Sequence, residues 1–172
     1  KLKNKGKTEG RGRKMLELDV KIESKDLYDY MLRHSYNSPS GILGSCFGAL
    51  LVVLAVLTGQ WMYLVFGIIM LAYLPWTLFL RSKKQALTNA GFQKPLHYVL
   101  DDTGVTISQG EESVQYLWEE MVKAVSTGRS IILYTSPVNA TLFPRRELGD
   151  KTVAVIEMIS THMPANKVKI RT

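Results

Sequence analysis

A single cysteine, Cys46, stands among 172 residues. Neither an intramolecular disulfide nor a cysteine-built zinc site can form from it, so disulfide scaffolds and metal ribbons are excluded together. Charge is missing over a longer stretch: no Asp, Glu, Lys or Arg occurs between Arg33 and Arg81. Catalytic signatures are missing as well. The chain has no GxSxG, no P-loop lysine motif, no HExxH and no GxGxxG. His34, His97 and His162 lie too far apart for a metal-ligating spacing such as HxxxH and read as surface or rim residues. The expectation is a chain with no catalytic residues, no metal and no cofactor, and at 19.4 kDa it has room for one ordinary domain or two small ones.

The uncharged stretch determines the class. Ile42–Leu57 and Trp61–Leu80 each hold ten Leu, Ile, Val or Phe residues and are separated only by Thr58, Gly59 and Gln60. About 20 residues at 1.5 Å each span the hydrocarbon core of a bilayer, so the spacing predicts a transmembrane hairpin over 40–80, with helices at about 41–58 and 61–80. A soluble helix needs a wet face, and a domain this small could not surround two helices that are apolar on every side. Lys21, Lys25 and Arg33 precede the hairpin, Arg81, Lys83 and Lys84 follow it, and the loop between is uncharged. The positive-inside rule then places both termini in the cytoplasm, with Trp61 and Tyr63 at the outer interface and Trp76 at the inner one. Gly44 and Gly48 form a GxxxG beside Ser45 and Ala49, a surface for close helix packing. The partner is either the second helix, through Gly67 or Ala72, or a second copy of the chain. Cys46 lies among apolar neighbours, where a thiol is inert.

The net charge of +7 is concentrated at the start: Lys1, Lys3, Lys5, Lys7, Arg11, Arg13 and Lys14 against Glu9 give +6 before residue 15. Two readings of residues 1–14 stay open. They are a disordered basic arm able to meet phosphates or anionic lipid, or upstream purine-rich coding read in frame, with Met15 the initiator. Nucleic acid is disfavoured as a partner, because only this arm speaks for it.

Residues 15–38 read as a strand and a helix. Leu16, Leu18, Val20 and Ile22 alternate with Glu17, Asp19, Lys21 and Glu23, and Ser24 can cap a helix running to Arg33. Beyond Ala86 the pattern turns to short β runs: Tyr98–Leu100, Val105–Ile107, Val114–Trp118, Val122–Val125, Ile131–Tyr134 and Thr141–Phe143, with turn residues such as Asp102-Thr103-Gly104 and Thr127-Gly128 between them. A final helix is expected from Asp150 through Ile159, with Val153, Ile156 and Ile159 against the sheet. The predicted fold is an α+β membrane protein: a two-helix hairpin plus an antiparallel, pleckstrin-homology-like β-sheet over 91–163 capped by the C-terminal helix, with 164–172 a tail. The strand at 16–22 could join that sheet from across the hairpin.

Three segments carry a resemblance: Ser24-Lys25-Asp26-Leu27-Tyr28-Asp29-Tyr30 after the opening strand, Leu117-Trp118-Glu119-Glu120-Met121-Val122-Lys123-Ala124-Val125, and Leu142-Phe143-Pro144-Arg145-Arg146-Glu147-Leu148. From Met15 to about His162 the chain resembles the YcxB-like family, small bacterial membrane proteins with two helices and a C-terminal β domain. Glu119 and Glu120 stand where that pattern carries more neutral polar residues. The resemblance implies an architecture and a place in the bacterial inner membrane, and no activity.

The expected function is therefore binding or scaffolding by a cytosolic domain held at the membrane, the alternative being an accessory subunit of a membrane enzyme or transporter. Arg81, Lys83 and Lys84 belong at the inner leaflet, and Arg145 with Arg146 are candidates for contact with anionic headgroups. The expected partners are the lipid bilayer and a protein at an open sheet edge or a second copy of this chain. Trp118 with Tyr116 and Tyr134 read as core aromatics before they read as a ligand cleft.

Overall fold

The computed structural model describes residues 15–171; both readings of the basic arm fall outside them. The protein is α+β, with two four-stranded sheets. Strand β1 (Leu16–Val20) leads into helix α1 (Ser24–Tyr36). Ser24 is the first helical residue rather than the cap. Glu23 takes the cap position, and its backbone N–H donates to the Asp26 carboxylate across 2.8 Å.

Helices α2 (Pro39–Thr58) and α3 (Trp61–Thr88) follow, each long and apolar enough to cross a membrane. Proline at the first position of α2 and the Ser38 hydroxyl, which accepts from the Gly41 N–H at 3.2 Å, start the helix at a sharp corner. Gly59, with φ 70°, ends it in a left-handed conformation that a side chain would strain, and α3 begins two residues later. The residues α2 buries are Gly41, Gly48 and Ala55, all small and seven apart. Seven of its large side chains, from Ile42 to Leu57, are exposed, the reverse of a helix folded in water. α3 continues beyond Leu80 through Arg81-Ser82-Lys83-Lys84, residues that favour helix but not lipid.

Strands β2 (Leu96–Leu100), β3 (Gly104–Gln109) and β4 (Glu112–Leu117) form an antiparallel meander, and β1 pairs with β2 in the register Asp19 opposite His97. The turn at Trp118–Glu120 redirects the chain. Trp118 is buried there, and its indole N–H donates to the Asp101 carbonyl at 2.8 Å. Strands β5 (Lys123–Ser126), β6 (Ser130–Tyr134) and β7 (Ala140–Pro144) form the second sheet. The expected single antiparallel sheet is thus two sheets. A short strand from the expected tail, β8 (Val168–Lys169), adds to β5 in parallel.

The sheets share one core, marked by Tyr98 against Phe143 with ring centroids 5.0 Å apart. Helix α4 (Thr152–His162) covers it through Val155, Met158 and Ile159. Val153, expected inside, is 73% exposed. Helix α1 lies between the hairpin and the second sheet: Tyr28 meets Phe79 of α3 edge-on at 5.8 Å, while Tyr30 and His34 lie beside Tyr134 of β6.

Candidate functional site

The cations named from the sequence separate into three groups. Arg81, Lys83 and Lys84 are exposed near the end of α3, with the Lys83 ammonium 4.5 Å from the centre of the Phe79 ring. Arg146, a candidate for headgroup contact, is exposed and is paired with carboxylates of its own chain. It stands in a short helical turn (Arg145–Leu148) after β7, and its guanidinium pairs with Asp26, which is 1% exposed. Its Nη2 donates to the Lys21 carbonyl at 2.9 Å and lies 3.7 Å from Glu23, and its Nε lies 3.1 Å from Glu147. The bond to Asp26 holds this guanidinium protonated even more firmly than usual. The Glu23 carboxyl is pulled below the ordinary carboxylate range, first by its hydrogen bond with Lys25 and, against desolvation, by the charge of Arg146.

Arg145, one residue away, points elsewhere. It lines an open cleft of about 870 Å³ between α1 and the second sheet. Arg33 from α1 and Lys169 and Arg171 from the end of the chain lie on the same cleft, and its single carboxylate is Asp29. Lys169 ends β8 and Arg171 lies two residues on. Asp29 accepts a short hydrogen bond from the Thr127 hydroxyl, which also accepts from the backbone N–H groups of Arg129 and Ser130. The carboxylate therefore fixes the β5–β6 turn. Among the described residues none of the four cations has a carboxylate within ion-pairing distance. Arg145 Nη2 donates to the Arg171 carbonyl at 2.6 Å, while Arg145 Nε is buried with no partner among the described residues. Such an arrangement attracts an anion. Of the cleft's cations the sequence marks Arg145 as a candidate for anion contact and Arg33 only as a flank of the hairpin.

The glycines of the GxxxG also separate. A Cβ on Gly48 would stand 2.8 Å from Leu71 Cγ, and one on Gly67 would stand 3.0 Å from the Gly48 carbonyl oxygen. These two positions form the closest approach of α2 and α3. Gly44 has nothing within 4 Å of a built Cβ.

The remaining polar candidates serve the fold. Asp101 Oδ1 accepts from the N–H groups of Thr103 and Gly104 in a turn. His97 Nδ1 is 2.9 Å from its cross-strand neighbour Asp19. His162 stacks on Trp118 at 5.3 Å, while Tyr134 lies with Tyr30 and His34. Burial raises the phenol pKa values of Tyr30 and Tyr134 and pushes that of Tyr98 far higher. Among the described residues no three His, Cys, Asp or Glu side chains are grouped to hold a metal ion.

No curated protein and no solved structure compared with the chain matches it. A family does: residues 100–155, from the end of β2 into α4, match the family model described as YcxB-like protein, a stretch that takes in the Leu117–Val125 and Leu142–Leu148 segments on which the resemblance rested.

Proposed function

We propose that this chain is a membrane-anchored binding protein of the bacterial inner membrane. The α2–α3 hairpin crosses the bilayer with both termini on the cytoplasmic side, and the α+β body acts there by binding a lipid surface or a protein partner, not by catalysis. One observation carries the reading: twenty large apolar side chains between Ile42 and Leu80 are exposed in the folded chain. Leaving each in water costs about 1.5–3 kcal/mol relative to an apolar surrounding, a total no domain of this size can carry, so lipid is the medium that suits these helices. In a soluble hairpin the same helices would be mostly buried, whereas only 17% and 11% of their most apolar windows are.

Two packed sheets with a helix across them support reading the body as pleckstrin-homology-like, with its first strand donated from before the hairpin. That arrangement ties the body to the membrane at both ends of the hairpin. It also leaves β4 as an outer strand, paired among the described residues with β3 alone, and Val114 and Leu117 on it are exposed. A protein segment could add to that edge. Membranes holding the full chain, washed with alkaline carbonate, are expected to retain it. A chain that is released, or that stays monodisperse in buffer without detergent, would overturn the reading.

A further inference from the structure

We propose that the cleft between α1 and the β5–β6 turn is a site for a phosphate group, held by Arg33, Arg145, Lys169 and Arg171. The proposal deepens the membrane reading and rests on it for the source of the ligand, since it places a phosphate-bearing headgroup of the inner leaflet in a defined site beside the hairpin.

Four cations face one carboxylate in the cleft, and that carboxylate is already engaged by Thr127. Like charges are gathered there with no protein counter-charge at pairing distance, which destabilises the empty site and favours an anion. The neighbouring Arg146 shows what neutralisation within this fold looks like, with Asp26, Glu23 and Glu147 around it. Arg145 shares its turn and has no such partners. One arm of its guanidinium is fixed on the Arg171 carbonyl, its backbone N–H donates to the Arg129 carbonyl at 2.8 Å, and its buried Nε is unpaired among the described residues. A guanidinium held by one arm, with no carboxylate beside it, suits an oxyanion, whose oxygens accept charge-assisted bonds.

Position gives the source. Tyr36 and Asn37, which line the cleft, stand three and two residues before Pro39, the first residue of α2. The polar headgroup region beside the hydrocarbon core is about 5–7 Å thick, so this end of the cleft adjoins the headgroups when α2 spans the bilayer.

The test uses the full chain in micelles of an uncharged detergent, titrated calorimetrically with dioctanoyl phosphatidic acid, with dioctanoylglycerol, which has the same tails and no phosphate, and with inorganic phosphate. Phosphatidic acid is expected to bind saturably and dioctanoylglycerol is not. Arg33→Gln with Lys169→Gln, both exposed positions, should weaken binding about tenfold or more, the loss of charge-assisted hydrogen bonds. Replacing Arg81, Lys83 and Lys84 by Gln should leave it within about threefold, as loss of diffuse attraction in a micelle does. Inorganic phosphate that binds as tightly and displaces the lipid would support the site with a free phosphate as its ligand. Weak displacement would support the headgroup. Absence of saturable binding by either, or a double variant that binds like the wild type, would overturn the proposal. Flotation of the wild-type chain with vesicles is measured alongside. A chain that floats but does not bind phosphate removes the site and leaves the membrane reading standing, and one that does not float removes the membrane reading.

Discussion

Arg145 and Arg146 are consecutive and chemically identical, yet one lines a cleft and the other joins an ion-pair network with carboxylates of its own chain. On a helical turn neighbouring side chains diverge by about 100°, so a dibasic pair cannot point both members at the same surface. The sequence showed the pair but not which member was neutralised, because Asp26 and Glu23, its partners, lie some 120 residues earlier. The network makes a prediction. In Arg146→Ala, Asp26, 1% exposed in the folded chain, loses its cationic partner and keeps only the Glu23 N–H to accept from, and an unpaired buried carboxylate costs about 2–4 kcal/mol. The urea midpoint of the detergent-solubilised chain, followed by circular dichroism, should fall accordingly. Asp26→Asn combined with Arg146→Met removes both charges and should recover part of the loss. A single variant as stable as the wild type would show that the ion pair contributes nothing.

Elements were legible where their pattern was strong and local. Alternation revealed β1, and the length and uniform apolarity of α2 and α3 revealed the hairpin, since neither depends on tertiary partners. The phase of α4 was not legible. Val153, Ala154, Val155 and Ile156 are consecutive apolar residues, so several stripes fit equally well, and the core selected the one through Val155, Met158 and Ile159. β8 is two residues long, too short to have a period, and exists because β5 offers an edge. At this scale the GxxxG divides into a used and an unused glycine. Gly67→Val should separate α2 from α3, because its Cβ already meets the Gly48 carbonyl at 3.0 Å and the Val52 backbone nitrogen at 3.1 Å, and backbone cannot move aside cheaply. Gly44→Val should be tolerated. Cross-linking between cysteines introduced at Ala49 and Gly67's neighbour Ile68, in a chain with Cys46→Ser, gives the comparison: efficiency should drop with Gly67→Val and hold with Gly44→Val. Equal losses would place the contact at Gly44 as well.

The arrangement of the whole molecule depends on a pairing that bridges the hairpin. β1 and β2 lie on either side of α2 and α3, and the Asp19–His97 contact joins residues 78 apart. If the hairpin crosses a membrane as proposed, a strand on each side of it in one sheet requires both ends on one face, and the positive-inside pattern alone chooses the cytoplasmic one. This makes orientation testable with few substitutions, because Cys46 is the sole cysteine and Cys46→Ser leaves a clean background. Gln60→Cys lies at the tip of the hairpin and Glu111→Cys in the exposed turn between β3 and β4. In intact cells whose outer envelope admits the reagent, a membrane-impermeant maleimide should label Gln60→Cys and leave Glu111→Cys untouched until the inner membrane is permeabilised. Labelling of Glu111→Cys in intact cells would put the α+β body on the outer side, and with it the cleft, away from the inner leaflet that its cations are proposed to meet.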